Sequence, residues 1–202
     1  MFTTRVVFQQ INDNATEIGI FEQRGRALWG GFGLAANYIE RGRIFAMYSA
    51  EGRMIGGFCL ILEGPFRTLE GLSEASRAQL LATCHASDFL EAYAVWLDPE
   101  SKHTSLQIRF WYKAVLEAMK TRRKYMILGY NGEAAGLRRF WQDVVGFSLV
   151  ERIERVDPRL NTHQHAEIVV GRIAGLPSAL VRYSARRIRK AIGSRSSPTV
   201  KA

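Results

Sequence analysis

At 202 residues the chain can bury a sizeable core, and 47 % apolar with 23 % charged residues is the composition of one ordinary soluble globular domain. No apolar run approaches the roughly 18 residues of a membrane span, MFTTRVVFQQ lacks a signal-peptide core, and Cys59 and Cys84 are too few for a disulfide framework, so a cytoplasmic protein is expected. The net charge of +9 is uneven: Leu176 to Ala202 holds seven basic residues and no acidic one, which leaves only +2 for the body.

In chain order, Thr3 to Gln10 has strand character. Asn14 or Thr16 can cap a helix from Glu17 to about Trp29. The stretch WGGFG, Trp29 to Gly33, has two readings. It is a glycine-rich phosphate loop, weak without a following Lys-Ser/Thr, or a flexible link to a short helix at Ala35 to Glu40. Arg43–Ala50 and Met54–Leu62 form a hairpin. Gly56-Gly57 marks a bulge or a close backbone approach in its second strand. Glu63 to Asp88 is an insertion with one helix, Ser73 to Thr83.

Phe89 to Leu97 is a strand with two apolar faces, hence central. Strict alternation puts Glu91, Tyr93, Val95 and Leu97 on one side and Ala92, Ala94 and Trp96 on the other. Asp98-Pro99 ends it. Helical spacing follows at Leu106, Phe110, Ala114, Val115, Ala118 and Met119. Strand, loop and helix N-terminus in this order can hold an anion on free backbone N–H groups. Tyr125 to Gly129 is another buried strand, and Ala134 to Val144 a helix stopped at Gly146. Phe147–Val156 and His165–Ile173 close the body as an antiparallel pair.

This order, β-α-α-β-β-insert-β-α-β-α-β-β, resembles the GCN5-related N-acetyltransferase (GNAT) superfamily from about Arg5 to Ile173. EGRMIGGFCLIL resembles the family's hairpin, and AVWLDPESKHTSLQ its fourth strand and following loop. NGEAAGLRRFWQDVVGF resembles its closing stretch, with Asn131, Ala134 or Ala135, Phe140 and Gly146-Phe147 near their expected places. The resemblance implies an α+β fold, with a mixed central sheet and helices on both faces. It also implies acyl transfer to an amine from a thioester, acyl-CoA or an acyl carrier protein, without a metal. The donor's pantetheine arm would lie between splayed fourth and fifth strands. Val95 and Leu97 would offer backbone amides there, Leu97 as the oxyanion donor. Lys102, His103, Thr104, Ser105 and Gln107 would lie at the donor's phosphates, and Asn131 would also contact the donor.

Two departures stand out. The family's phosphate-loop glycines are absent; Lys102, Ser105 and Gln107 hold those positions, and Thr104 to Gln107 fits a capping box that would occupy the amides. The family's thiolate-protonating tyrosine falls at Gln142, or at Trp141 with one extra residue, and neither side chain suits that task.

Amine acylation needs a base for the ammonium, donors for the oxyanion and an acid for the thiolate. Glu91 is the first candidate base, against a role as a solvated or ion-paired strand end. Glu63 is second, against a turn residue before Gly64-Pro65. Tyr93 is a candidate acid or a core aromatic. His103 is a base, a phosphate contact or an exposed loop residue. Cys84-His85 lacks the third group of a nucleophile, and His163-x-His165 lacks the partners of a metal site.

The chain thus divides into a domain over 1–175, a basic amphipathic helix over 176–193 and a disordered tail over 194–202. Val181, Ala185, Ile188 and Ile192 form one helical stripe, with Arg182, Arg186, Arg187, Arg189 and Lys190 on the other faces. The segment 178–192 packs on the body, lies on an anionic membrane surface, or docks an acidic partner such as an acyl carrier protein. Nucleic acid is the weakest partner, because Tyr183 is the tail's one aromatic. The leading expectation is an N-acyltransferase with a longer-chain, carrier-borne or CoA donor, peripheral on the membrane. The rival is a non-catalytic protein of the same fold that acts through its basic helix. The acceptor region, Gly19 to Ile39 and the late hairpin, shows no motif.

Overall fold

The computed structural model describes residues 5–29, 36–101, 103–157 and 162–193. Strand β1 (Val7–Gln10) leads into helix α1 (Ala15–Trp29), whose Glu17 amide donates to Asn14 Oδ1 at 3.1 Å, so Asn14 is the cap. Helix α2 (Ala36–Arg41) precedes the hairpin of β2 (Gly42–Tyr48) and β3 (Met54–Ile61). The insertion forms α3 (Arg67–Glu70) and α4 (Glu74–Thr83), the latter capped by Ser73. Then come β4 (Phe89–Leu97), α5 (Thr104–Lys120) and β5 (Tyr125–Asn131). Helix α6 (Ala135–Arg138) widens into a π-helix over Arg139–Val145, ended by Gly146 at φ 83°. Strands β6 (Ser148–Asp157) and β7 (Thr162–Arg172) precede the last helix, α7 (Leu176–Gly193). The WGGFG glycines, Lys102 and residues 194–202 lie outside the described residues.

The strands form one mixed sheet in the order β1-β2-β3-β4-β5-β7-β6, in which only β4 and β5 run parallel. One face carries α1 and α2 over a core that includes Phe21, Tyr38, Phe89, Trp96 and Ile127. The other carries α5, the π-helix and α7 over Phe58, Leu90, Phe110, Trp141 and Leu176. Both faces of β4 are therefore covered, as its two apolar sides require. Gly57 serves close approach: a Cβ there would strike the Phe21 ring and the Phe45 carbonyl. The β3–β4 register steps from Gly57↔Trp96 to Cys59↔Tyr93, two residues on β3 against three on β4, so the extra residue lies on β4 opposite the glycines.

The strand β4 does not alternate strictly. Ala94 has φ 48°, and this kink moves the side chains that follow to the opposite face. Tyr93, Ala94 and Trp96 pack on the α1–α2 side, whereas Ala92, Val95 and Leu97 pack on the α5–α7 side. The expectation that Glu91, Tyr93, Val95 and Leu97 share one face is corrected by this single residue.

Candidate functional site

The parallel pairing of β4 with β5 covers only Phe89↔Tyr125, Leu90↔Met126 and Glu91↔Ile127. Beyond it β5 stays paired with β7 as far as Asn131, while β4 stays paired with β3 as far as Leu97. The two strands therefore part after Glu91 and open a wedge. Its walls are the backbone edges of Ala92–Leu97 and Leu128–Asn131. Edges that have lost their ladder partner present N–H and C=O groups to any extended amide-bearing ligand. Val95 and Leu97 lie on the β4 wall, and Asn131 ends the β5 wall, its Oδ1 accepting from the Glu133 amide at 2.9 Å.

At the wide end of the wedge α5 begins. His103 is its N-cap, is exposed and makes no side-chain cap bond; the first intrahelical bond runs from the Gln107 amide to the His103 carbonyl at 3.0 Å. The amides of Thr104, Ser105 and Leu106 precede that bond, so the helix itself offers them no acceptor. Gln107 does not reach back as a capping box requires. Its Oε1 accepts instead from Tyr183 Oη, at 3.0 Å, and from Arg187 Nη2, both on α7. The capping-box expectation is thereby corrected. It failed because the helix begins one residue early: His103 is the N-cap, so Thr104 and Gln107 are not its Ncap and N3 positions, and the free carboxamide is taken up by α7.

Helix α7 runs back along α5 and brings positive charge to this corner. The Arg187 guanidinium lies 5.9 Å from the Tyr183 ring centroid, and its buried Nε has no protein partner among the described residues. Beneath α7, next to the wedge, lies an apolar cavity of about 40 Å³. Ala92, Val95, Trp111, Met126, Trp141 and Tyr183 are among its walls.

This architecture has known counterparts. No protein-family model matches the sequence, and no curated protein does. Solved structures do match. FeeM, an N-acyl amino acid synthase from uncultured soil microbes, superposes with a TM-score of 0.64 at 13 % identity, over 88 % of this chain and 96 % of that one. Arabidopsis thaliana NAA60, in complex with acetyl-CoA, gives 0.59 at 11 % identity, over 84 % and 99 %. The ribosomal-protein-S18-alanine N-acetyltransferase of Escherichia coli gives 0.55 at 14 % identity, over 84 % and 94 %. The chain has the GNAT fold. The parted β4 and β5 and the α5 N-terminus hold the positions that the sequence resemblance led one to expect; the kink at Ala94 was not among those expectations.

The candidate side chains fare unevenly on the GNAT frame. Glu91 does not line the wedge. It is 0 % exposed, beneath α3, and accepts from Tyr38 Oη at 2.9 Å, from the Thr68 amide at 2.8 Å and from Thr68 Oγ1. Burial raises its pKa, opposed by these hydrogen bonds. It clamps the insertion to β4, with Tyr38 Oη also accepting from the Arg67 amide at 2.6 Å. Burial and the Glu91 charge together push the neighbouring Cys59 thiol up, so it is no nucleophile.

Tyr93 is half-buried on that same side. Its ring meets Tyr38 edge-on at 5.2 Å, and its hydroxyl accepts from Arg67 Nη1 at 3.2 Å. Glu63 lies past the end of β3, which pairs at Ile61↔Glu91. It borders a separate cavity of about 350 Å³ with Glu70, Arg77 and Arg123. At about 3.3 Å per residue it stands roughly 13 Å along the sheet from the level of Tyr93, whose β3 partner is Cys59. The fold does not bring Glu63 to the wedge. Among the described residues no group of three metal-binding side chains gathers.

One cluster escaped the sequence reading. Glu167 on β7 is 1 % exposed, and its oxygens accept from Tyr130 Oη at 2.7 Å, Arg138 Nη2 at 2.7 Å, Arg152 Nε at 2.9 Å and Gln142 Nε2 at 2.9 Å. Burial would raise its pKa; the bonds from Tyr130, Arg138 and Arg152 outweigh that and hold the carboxyl below its usual range. Gln142 also donates to Tyr130 Oη at 2.7 Å. The residue at the expected acid position therefore fixes the β5 wall, and Trp141 beside it is buried in the core. The Tyr130 hydroxyl is pushed up to about 12 by burial and by Glu167. No spacing in the sequence announces this network. It exists because Tyr130↔Glu167 and Arg152↔Glu167 are cross-strand pairs.

Proposed function

We propose that the chain is an N-acyltransferase that moves a longer acyl group from a pantetheine thioester, on CoA or a carrier protein, to an amine. The observation that carries this reading is the wedge between β4 and β5 opening onto the first turn of α5. The pantetheine amides pair with the parted β4 edge, and the Leu97 and Val95 amides hold the oxyanion. The donor's phosphate meets the α5 amides and Arg187, which supplies the charge that a glycine loop would otherwise leave to the backbone. The apolar cavity takes the start of the acyl chain.

In the reaction the amine nitrogen attacks the thioester carbonyl. A C–N bond forms and the C–S bond breaks. The surplus ammonium proton leaves, and the thiolate is protonated to the free thiol. Gln142 cannot supply that proton. A second reading, a non-catalytic binder of pantetheine thioesters, is favoured by that same glutamine. Thiol release from acetyl-CoA, palmitoyl-CoA and an acylated carrier protein, with a panel of amines, separates the two. Amine-dependent thiol release supports the enzyme; binding of a thioester without release supports the binder. Binding of none would refute both.

A further inference from the structure

The stripe of Val181, Ala185 and Ile188 is not the face by which α7 packs on the body. Leu176 and Ala179 are buried, and Leu180 and Tyr183 line the cavity beneath the helix. These four follow i, i+3, i+4 and i+7, one face of a helix. Val181 is 69 % exposed and Ile188 48 % exposed, with Ala185 exposed between them on the opposite face. A helix that only packed on its body would carry polar side chains there. The exposed Arg182, Arg186 and Arg189 flank this apolar stripe. On α5, along which α7 packs, Tyr112, Leu116 and Met119 are exposed too, at i, i+4 and i+7.

We infer that the outer face of α7 lies on an anionic lipid surface, with Val181, Ala185 and Ile188 entering the headgroup–acyl boundary and the flanking arginines pairing with lipid phosphates. Charge complementarity selects this occupant. The segment from Leu176 to Ala202 has seven basic residues and no acidic one, while the rest of the chain is nearly neutral. No helix among the described residues is long and apolar enough to cross a membrane, so the contact is interfacial. The inward face stays seated on α5 throughout, which makes the surface rigid and prepaid in conformational entropy. This inference stands apart from the acyltransferase reading, since vesicle binding needs neither donor nor turnover.

The test is co-sedimentation of the full chain with vesicles of equimolar phosphatidylglycerol and phosphatidylcholine, and with phosphatidylcholine alone. The expected result is binding to the anionic vesicles, about tenfold less to neutral ones, and strong loss at about 0.5 M salt. Val181→Asn with Ile188→Asn, and separately Arg186→Gln with Arg189→Gln, should each lower the bound fraction about tenfold. These positions are solvent-facing, so thermal melts of both variants should match the parent. No binding to anionic vesicles overturns the inference, as does binding that ignores both variants. A concentration-dependent dimer that Val181→Asn with Ile188→Asn dissolves, without vesicle binding, would assign the face to a second copy and likewise overturn it.

Discussion

Replacing Glu91 by Gln tests how the insertion is tied to the central strand. The carboxylate divides its work between two oxygens. Oε1 accepts from the Thr68 amide at 2.8 Å and from Thr68 Oγ1, and Oε2 accepts from Tyr38 Oη at 2.9 Å. Gln keeps a carbonyl for Thr68 but turns an NH₂ toward a hydroxyl that already accepts from the Arg67 amide. One buried donor loses its acceptor, about 1–2 kcal/mol. Ala removes every acceptor and leaves a hole as well, about 3–5 kcal/mol. The pH dependence is the sharper readout. Burial raises the folded-state pKa of Glu91 above its ordinary 4.5. Below that ordinary value both states are protonated and the stability is fully present. As pH rises toward the folded value the unfolded chain has already released its proton, so wild type loses about 1.4 kcal/mol per pH unit relative to the Gln variant. Urea unfolding of both proteins from pH 4 to about 8 should show wild type losing stability relative to the Gln variant as pH rises. Parallel profiles would refute the buried, desolvated carboxylate and the clamp built on it.

Other substitutions probe the donor site and its frame. Arg187→Ala should raise the KM for a thioester donor about tenfold with kcat little changed, because a phosphate contact is equal in ground and transition states; initial-rate kinetics reads both. Ala179→Phe fills the cavity beneath α7, at a cost of about 1–3 kcal/mol in stability. It should cut kcat/KM for palmitoyl-CoA far more than for acetyl-CoA, as a donor series would reveal. Arg138→Ala removes one of the two arginines on Glu167. Arg138 is half exposed, so solvent screening limits the loss to about 1 kcal/mol. The folded-state pKa of Glu167 is depressed, so its stabilisation is present above the ordinary carboxyl value and lost as pH falls. The variant should therefore unfold less steeply with acid than wild type, by circular dichroism.

The order of elements, the covered central strand at Phe89–Leu97 and the stops at Asp98-Pro99 and Gly146 were legible in the sequence, because periodicity, breakers and turn chemistry are local. The chain's basic end was equally plain, since charge is counted without a structure. What escaped was decided by non-local geometry. The φ of Ala94 ended the alternation that had grouped Glu91 with Val95, and no residue type at that position gives warning. Gln107 looked like half of a capping box, but the backbone turns into the helix already at His103, and the carboxamide is left to α7. The stripe at Val181, Ala185 and Ile188 was read correctly as a stripe, but helical spacing cannot say which of two apolar faces meets the body. Glu167 was invisible because its four partners come from β5, β6 and the helix between them, joined only by strand register. Sequence set the elements and their chemistry; the long-range pairing of β4, β5 and α7 decided which of those groups stand at the wedge.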